Sequence, residues 1–453
     1  MRVLLISLYE LGRQPFGLAS PAAWLRREGH EVTQVDLSRT PLPDGAAAAA
    51  ELIAFFLPMH TATRLFARAV ERVRGLNPTA HLCAFGLYAP LNEKFLRSAG
   101  VATIIGGEFE QPLVDLARRL ARPNRQFAGR QETLVSLERQ RFLPPDRDGL
   151  PPLEAYARLM VDGGPPRVVG YTEASRGCKH RCRHCPVVPV YGGRFRIVQP
   201  DVVLEDIRRQ VAVGAEHITF GDPDFFNGPR HAIEIVEALH REWPGVTYDV
   251  TIKIEHLLDH ADLLSVLKAT GCLFVTSAVE SLEDAVLAKL AKGHTYAEFC
   301  EALTLTRAVG LPLASTFIPF TPWTTLESYR SFLGQLLALD LVEQVAPIQL
   351  AIRLLIPEGS LLLEAAEIRE LVGSFDARAL CYPWRNADTS VDALQAAVQR
   401  HVHRAEHRGA SRRETFRAVW ELAGCGAVPE RLINGTPRVA LAAIPYLTEP
   451  WYC

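Results

Sequence analysis

Apolar and polar residues alternate in a pattern that divides residues 1–125 into short strands and intervening helices. Five apolar runs bounded by Gly, Pro or Asn have the composition of buried β-strands, namely RVLLIS, EVTQVDLS, LIAFFLP, HLCAFGL and ATIIGGE. Helical stretches such as SPAAWLRREG and TRLFARAVERVRG separate them. Repeated β/α alternation predicts a parallel, doubly wound, Rossmann-like domain.

A second β/α series begins near Arg167. Its strand candidates are RVVGYTEAS, HITFGDPDF, TYDVTIKIEHL, CLFVTSAVES, PLASTFIPF and VAPIQLAIRLL. Six repeats predict a partial (βα)6 barrel at residues 166–360, because a closed barrel needs about eight. The Pro-, Arg- and Gly-rich stretch 126–165 is predicted to be a linker, and 361–453 a helical C-terminal region. The expected fold class is α/β.

Charge and hydropathy exclude several classes of protein. A formal net charge of −2 argues against a surface that coats nucleic acid. No apolar run approaches the roughly 18 residues of a membrane span. Met1-Arg2 leads straight into an apolar strand rather than into a signal peptide. We therefore expect a cytoplasmic protein with neither membrane nor nucleic acid as a partner.

Cysteine usage indicates metal or redox chemistry. An odd number of cysteines without a secretion signal does not favour a disulfide framework. Cys178, Cys182 and Cys185 follow the first barrel strand on one short loop. Three thiolates placed in this way can hold three corners of an iron–sulfur cube and leave the fourth iron open to an exogenous ligand. A Cys3His zinc site completed by His180 or His184, or an incidental cysteine cluster, is the alternative.

The cysteine motif and the strands around it resemble the radical S-adenosylmethionine (SAM) superfamily over residues 167–360. The resemblance implies that Cys178, Cys182 and Cys185 bind a [4Fe–4S] cluster and that SAM chelates the open iron. His184 stands where the family usually has an aromatic residue, and its imidazole is expected to pack against the adenine.

One SAM contact is assigned at the end of the second barrel strand, where the family binds the amino group. That place reads Gly221-Asp222-Pro223-Asp224 in this sequence. We assign the contact to Asp222, because Gly221 allows the backbone to approach a ligand and Pro223 stiffens the turn. Asp224 is expected to form an Asx turn that caps the next helix.

Charged residues at later strand ends are further candidates. The resemblance implies a ribose or carboxylate contact for Glu280 and Ser281 on the fourth strand, and a carboxylate contact for Arg353 on the sixth. Pairing of Arg353 with Glu280 is the alternative. Lys253 and Glu255 on the third strand either face a ligand or pair with each other, since charges inside a barrel need a partner.

The N-terminal domain resembles the cobalamin-binding domain that precedes many radical SAM barrels. Members that ligate cobalt through histidine carry Asp-x-His-x-x-Gly after the first strand, whereas this chain has Ser7, Tyr9 and Gly12 at those places. Histidine ligation is therefore excluded there, but cobalamin stays a candidate cofactor. The loop Gly106-Gly107-Glu108 is expected to leave room for a nucleotide tail.

The C-terminal end suggests a second resemblance. The chain is similar to radical SAM (seleno)proteins with a Cys-Sec-Ala-Glu-Pro or Cys-Cys-Ala-Glu-Pro tail, and it stops at Cys453, the first cysteine of that element. We hypothesise that a selenocysteine codon was read as a stop; an ordinary frayed terminus is the alternative. A second cluster built from Cys381, Cys425 and Cys453 is disfavoured by their wide spacing.

The expected activity is reductive cleavage of SAM followed by radical modification of a substrate, with methylation favoured if cobalamin binds. The expected partners are a small-molecule or peptide substrate and an electron donor such as flavodoxin or ferredoxin. No residue is singled out as catalytic, and the substrate is left open. An iron–sulfur electron-transfer protein and a zinc-stabilised binding module are the alternatives.

Overall fold

The N-terminal part of the chain builds one parallel sheet in the computed structural model, which describes residues 1–121, 133–161, 163–433 and 446–447. Its strands are β1 (Arg2–Ser7), β2 (Glu31–Asp36), β3 (Leu52–Phe56), β4 (His81–Phe85), β5 (Thr103–Gly107) and β6 (Val135–Ser136), in the order β2-β1-β3-β4-β5-β6. The strand order reverses between β1 and β3, which is the topological switch point where such sheets bind ligands. The doubly wound prediction is confirmed.

Helices cover both faces of this sheet. They are α1 (Phe16–Arg27), α2 (Asp44–Ala49), α3 (His60–Leu76), α4 (Glu93–Ser98) after a 3-10 turn at Pro90–Asn92, and α5 (Glu110–Ala121). Strand β3 is buried at every position, with Ile53 and Phe55 in one core and Leu52 and Phe56 in the other. A parallel strand covered on both faces needs apolar side chains on each, which explains the unbroken run in the sequence.

The barrel follows, with helices between its strands. The elements up to the third barrel strand are β7 (Leu159–Met160) after a 3-10 turn at Leu153–Ala155, β8 (Val169–Thr172), β9 (Ser175–Gly177), α6 (Val187–Tyr191), β10 (Phe195–Ile197), α7 (Pro200–Ala212), β11 (His217–Phe220), α8 (Pro229–Glu242) after a 3-10 turn at Phe225–Asn227, and β12 (Thr247–Thr251). The rest are α9 (Ile254–Asp259), α10 (Leu264–Ala269) after a 3-10 turn at Ala261–Leu263, β13 (Cys272–Glu280), α11 (Asp284–Leu290), α12 (Tyr296–Ala308), β14 (Leu313–Phe317) and α13 (Leu326–Ala338).

The barrel sheet is open and parallel, in the order β14-β13-β12-β11-β8, and β9 and β10 form a separate antiparallel pair. The sixth strand expected at VAPIQLAIRLL is reduced to a single parallel bridge between Phe320 and Arg353, preceded by a 3-10 turn at Pro347–Leu350. Pro347 has no N–H group to donate to a strand ladder, which favours the turn.

Part of the segment expected to be a linker belongs to the sheets on either side of it. Strand β6 extends the N-terminal sheet beside β5. Strand β7 pairs antiparallel with β15 (Tyr446–Leu447) from the C-terminal region. The domain boundaries themselves stay predictions.

The C-terminal region is helical, with a 3-10 turn at Leu361–Glu364, α14 (Ala366–Leu371), α15 (Thr389–His407), α16 (Arg412–Leu422) and α17 (Glu430–Ile433). Val398 of α15 and Phe416 of α16 belong to the hydrophobic core of the barrel, so these helices close its side. Among the described residues, no helix combines the length and the apolar character that crossing a membrane demands.

Candidate metal centre

The cysteine loop starts at a glycine packed against its neighbours. Gly177 has φ of +76°, a region that disfavours side chains. A Cβ at this position would lie 2.4 Å from Tyr191 Cδ1 and 2.5 Å from the Arg194 carbonyl oxygen. The Cys178 N–H donates to the same carbonyl at 3.1 Å. The first cysteine is therefore held against α6 and the segment leading into β10.

The three thiols share a buried environment. Cys182 is 7% exposed, and Cys178 and Cys185 pack against the core of the N-terminal domain. Burial raises the pKa of Cys178 to about 11 and that of Cys185 to about 12. None of the three forms a disulfide with another described residue. Such thiols lose their protons on binding metal, and three on one loop fit a [4Fe–4S] cluster held at three corners.

A buried arginine ties this loop to the N-terminal domain. Arg176, two residues before Cys178, donates to both carboxylate oxygens of Glu110 at 3.0 and 2.7 Å and to Glu173 at 2.6 Å. Its guanidinium also lies 3.4 Å from Glu108 and 4.8 Å from the Phe109 ring centre. Glu108 and Glu110 flank the end of β5, so the cysteine loop and that sheet edge are held together by charge.

A buried lysine faces the loop from the segment after α11. Lys292 is 3% exposed, and its Nζ lies 3.5 Å from Glu280 Oε1. Burial opposes its charge, but Glu280, Cys182 and Cys185 together raise the pKa of Lys292 above its usual value. A fixed cation here offsets negative charge on thiolates and cluster. The sequence analysis missed this residue, although a lysine beside Gly293 in a loop after a barrel strand was an available signal.

Glu280 is brought together with His184. His184 Nε2 lies 3.0 Å from Glu280 Oε1 at the end of β13. Burial opposes ionisation, but Lys292 and then His184 hold the pKa of Glu280 at about 2. Glu280 is thus a charged member of the site. The adenine contact expected for His184 stays a prediction.

Asp222 is held by the backbone and side chains around it. Its two oxygens accept hydrogen bonds from the Ala174 N–H at 2.9 Å and the Ser175 hydroxyl at 2.5 Å. Burial raises the pKa of Asp222 to about 7 in spite of these bonds. Gly221 leaves space for the Tyr171 side chain, because a Cβ there would lie 1.8 Å from the Tyr171 hydroxyl oxygen.

Asp224 points one oxygen towards two histidines. Its Oδ1 accepts from the Phe226 N–H at 3.2 Å, which is the helix-capping bond expected from the sequence. Its Oδ2 lies 2.7 Å from His256 Nδ1 and 3.4 Å from His180 Nε2. No hydrogen bond reaches this oxygen within the described part of the chain, although Asp224 is only 1% exposed. A buried carboxylate oxygen in this state is available to a ligand.

Lys253 and Glu255 pair with each other, which is one of the two alternatives predicted from the sequence. Neither lies in a strand, because β12 ends at Thr251 and Glu255 belongs to α9. His294, which the sequence analysis missed, lies near Lys253 and Lys292. It is 5% exposed, and neither ring nitrogen has a hydrogen-bond partner among the residues described.

The site thus gathers three cysteines, several histidines and paired charges at the carboxyl ends of parallel strands. Residues 172–334 match the family model of the radical SAM superfamily, and this range contains the whole cysteine loop. This stretch of the chain is therefore similar to the radical SAM superfamily.

Two curated proteins are similar to part of this chain. The hopanoid C-3 methylase of Methylococcus capsulatus is 28% identical over 151 residues, which are 33% of this chain and 29% of that protein. The bacteriochlorophyllide d C-12(1)-methyltransferase of Chlorobaculum tepidum is 26% identical over 133 residues, which are 29% of this chain and 28% of that protein. The matches therefore span less than a third of the length of either relative.

Solved structures share the fold over most of this chain. The cobalamin-dependent SAM radical enzyme OxsB, with aqua-cobalamin and SAM bound, aligns with a TM-score of 0.67 and 14% identity, covering 89% of this chain and 67% of that one. The radical SAM methyltransferase TsrM of Kitasatospora setae, with tryptophan and a SAM analogue bound, gives 0.62 and 19%, covering 81% and 76%. At these identities the likeness establishes the fold alone.

Two residues predicted to contact SAM, Ser281 and Arg353, form hydrogen bonds with other parts of the protein. Ser281 Oγ accepts from the Glu283 N–H at 3.1 Å in a local turn. Arg353 donates to Asp392 at 2.6 Å and to the Trp384 carbonyl at 2.6 Å, with its guanidinium 3.5 Å from the Trp384 ring centre. The alternative of an Arg353–Glu280 pair is wrong, because the reduced sixth strand turns Arg353 towards the C-terminal region.

The loop expected to receive a nucleotide tail is filled by protein. A Cβ at Gly106 would lie 2.5 Å from Pro90, and one at Gly107 would lie 2.2 Å from the Ser136 carbonyl oxygen of β6. Glu108 accepts from the Tyr191 hydroxyl at 3.1 Å. The two glycines therefore make room for Pro90 and β6.

Cys453 and the tail element lie outside the described residues, so the selenocysteine hypothesis stays a prediction.

Proposed function

We propose that this chain binds a [4Fe–4S] cluster on Cys178, Cys182 and Cys185, cleaves SAM reductively and transfers a methyl group to a small molecule. The observation that carries the proposal is the cysteine loop, with three buried thiols at the carboxyl ends of a parallel barrel inside the range matched by the radical SAM family. When bound, such a cluster supplies the electron that breaks a carbon–sulfur bond of SAM.

The surrounding residues are proposed to bind and orient SAM. We assign its ammonium group to Asp224 rather than to Asp222, because both oxygens of Asp222 already accept hydrogen bonds whereas Asp224 Oδ2 accepts none from the described residues. For Glu280 and Ser281 we keep the predicted contact with the ribose or the carboxylate of SAM. The side chain of Glu280 is charged and buried, which strengthens a hydrogen bond to a hydroxyl.

Exclusion of water is the second task of the protein. Strands β11, β12 and β13 contribute buried apolar side chains to the core of the barrel, among them Phe220, Tyr248 and Val279. The cysteines face the N-terminal domain on the other side. A reactive species formed between the barrel core and the N-terminal domain is expected to react with substrate rather than with solvent.

Cobalamin is proposed as the methyl carrier, bound at the switch point of the N-terminal sheet. Ser7 ends β1 there and Glu10 follows it; Ser7 Oγ and Glu10 Oε2 are both buried and have no hydrogen-bond partner in the described ranges. Such orphaned groups fit the polar rim of a corrinoid. Tyr9 occupies the place of the cobalt-binding histidine, so position 9 offers the metal no imidazole. When bound, cobalamin supplies the methyl-transfer chemistry.

The names of the similar proteins support methylation. Both curated relatives are named as methylating enzymes, and the two structural neighbours are a cobalamin-dependent SAM radical enzyme and a radical SAM methyltransferase. We propose a small-molecule substrate and a flavodoxin or ferredoxin as electron donor.

Anaerobic reconstitution with iron and sulfide tests the proposal. We expect a [4Fe–4S] complement of iron and sulfide, and release of 5′-deoxyadenosine or S-adenosylhomocysteine when SAM and a reductant are added. Cys182→Ala is expected to lose the cluster. Cys425→Ala, a partly buried cysteine beside Arg330, is the matched control and is expected to keep it.

The same experiment separates the alternatives. Zinc in place of iron would identify a zinc-stabilised binding module. Iron and sulfide without consumption of SAM would identify an electron-transfer protein. Cobalamin that fails to co-purify or bind on addition would limit the proposal to SAM cleavage without this methyl carrier.

A further inference from the structure

We propose that Cys178, His180 and Asp224 form a binding site for one Zn²⁺ ion or a similar divalent cation, which competes with the iron–sulfur cluster for Cys178. One ligand atom from each of the three residues lies within 4.8 Å of the other two. The competition rests on the cluster assignment of Cys178 made above, whereas the site stands on its own geometry.

Hydrogen bonds hold the two segments that carry these ligands. Asn227, the last residue of the 3-10 turn capped by Asp224, accepts from the Lys179 N–H at 3.0 Å and donates to the Gly177 carbonyl at 3.3 Å. The cysteine loop is therefore clamped to the segment that follows β11. Asp224 Oδ1 is fixed by the Phe226 N–H, which leaves Oδ2 aimed at the loop.

Two of the three proposed ligand atoms, and the neighbouring His256 Nδ1, are buried without a hydrogen bond to any described residue. His180 Nε2, Asp224 Oδ2 and His256 Nδ1 make no hydrogen bond within the ranges that the structure describes. His180 Nε2 nevertheless lies 3.4 Å from Asp224 Oδ2. Ligand distances of about 2.0–2.1 Å in a tetrahedral zinc site separate neighbouring donors by roughly 3.4 Å. A metal ion bound by both His180 Nε2 and Asp224 Oδ2 would explain why these atoms lie so close together without a hydrogen bond.

Outer groups orient these ligands. His180 Nδ1 lies 3.4 Å from Glu255 Oε2 and 3.1 Å from Lys253 Nζ, and those two side chains contact each other. In a metal-bound His180 the Nδ1–H would donate to Glu255, the usual kind of support for such a histidine, and Lys253 would keep its contact with Glu255 instead of donating to Nδ1. His256 Nδ1, 2.7 Å from Asp224 Oδ2, restrains the carboxylate from the other side.

The donor set selects the ion. Thiolate, imidazole and carboxylate together suit Zn²⁺ and its first-row neighbours, whereas Mg²⁺ and Ca²⁺ take oxygen ligands. Cys182 and Cys185 do not belong to this group. A cluster-free chain is therefore expected to capture Zn²⁺ through Cys178 alone among the three cysteines, and that ion blocks cluster assembly until it leaves.

Cobalt titration of the Cys182→Ala/Cys185→Ala variant tests the site, because this variant lacks two cluster ligands and keeps Cys178. Anaerobic addition of Co²⁺ is expected to give one bound ion per chain, with visible bands of four-coordinate cobalt and a near-ultraviolet sulfur-to-cobalt band. Adding Asp224→Asn or His180→Gln should weaken binding at least tenfold. Adding His231→Gln should not, since the ring of this partly buried histidine bonds to the Ala174 carbonyl instead.

The proposal is overturned if the Cys182→Ala/Cys185→Ala variant does not bind Co²⁺ stoichiometrically. It is also overturned if adding Asp224→Asn or His180→Gln leaves the affinity for Co²⁺ the same as in that parent variant. Circular dichroism identifies a variant that does not fold. If one of the two substitutions prevents folding, the affinity of the other variant tests the site. In the wild-type chain, prior loading with Zn²⁺ should slow iron uptake, and His180→Gln should relieve that delay. Failure of the proposed function would appear separately, as release of neither 5′-deoxyadenosine nor S-adenosylhomocysteine by the wild-type chain while the double variant still binds Co²⁺.

Discussion

His184 Nε2 lies 3.0 Å from Glu280 Oε1, which joins the cysteine loop to the end of the fourth barrel strand. Glu280 has φ of +68°, a conformation that costs free energy in a residue with a side chain. Lys292 approaches the same oxygen at 3.5 Å. A strained, buried and charged residue beside the cysteines indicates that this corner of the barrel is built for binding and not for packing alone.

Removing the charge of Glu280 should destabilise the fold. Glu280→Gln leaves the Lys292 ammonium buried without its carboxylate, and we expect a loss of roughly 3 kcal/mol in the free energy of unfolding, measured by urea titration. Glu358→Gln is the matched control, because Glu358 pairs with Lys94, whose side chain is 86% exposed. That control should change stability by less than about 0.5 kcal/mol. Equal effects of the two substitutions would contradict the role given to burial.

Arg176 should be required to hold the cysteine loop. Arg176→Met leaves Glu108, Glu110 and Glu173 buried around an apolar side chain, so we expect a loss of about 3–5 kcal/mol in unfolding free energy and less iron bound after reconstitution. Arg97→Met removes a half-exposed pair with Glu93 and hydrogen bonds to the Val101 and Ala102 carbonyls, and should cost no more than about 1 kcal/mol. A normal iron content in folded Arg176→Met protein would count against the anchoring role.

Glu108 should make stability depend on pH. Burial raises the pKa of Glu108 to about 7, although Arg176 opposes this, and Glu110, Tyr191 and Glu173 also face it. Between the usual value near 4.5 and about 7 the folded state binds more protons than the unfolded state, so the free energy of unfolding falls as pH rises.

Glu108→Gln should remove that fall, which amounts to at most about 3 kcal/mol. Urea unfolding of both proteins near pH 5 and near pH 8 measures the difference. The wild-type chain should lose its advantage over the variant at the higher pH. Parallel pH profiles would show that another group is responsible.

Gly177 should tolerate no side chain. Gly177→Ala meets Tyr191 and the Arg194 carbonyl, whereas Gly310→Ala, at the similar φ of +66°, meets nothing within 4 Å. Both substitutions carry the cost of a left-handed residue, about 1–2 kcal/mol. We expect Gly177→Ala to cost at least about 2 kcal/mol more in urea unfolding and to lower cluster content. Similar losses in the two variants would refute the steric argument.

The sequence was informative wherever neighbours along the chain determine structure. The parallel strands of both domains were located to within a few residues, because a run such as Leu52–Phe56 is apolar at every position only when both faces are covered. It was less informative at the sixth barrel strand, where Pro347–Leu350 turns instead of pairing. Apolar content alone does not distinguish these two outcomes.

By itself the sequence determined the alternation of strands and helices and the spacing of Cys178, Cys182 and Cys185, since both are local properties. Only the tertiary structure decided that Asp224 and not Asp222 keeps an unsatisfied oxygen, and that Lys292 faces the cysteines. The physical reason is distance along the chain. A side chain's face follows from its position in an element, but its charged partner comes from a segment that the fold brings in from far away.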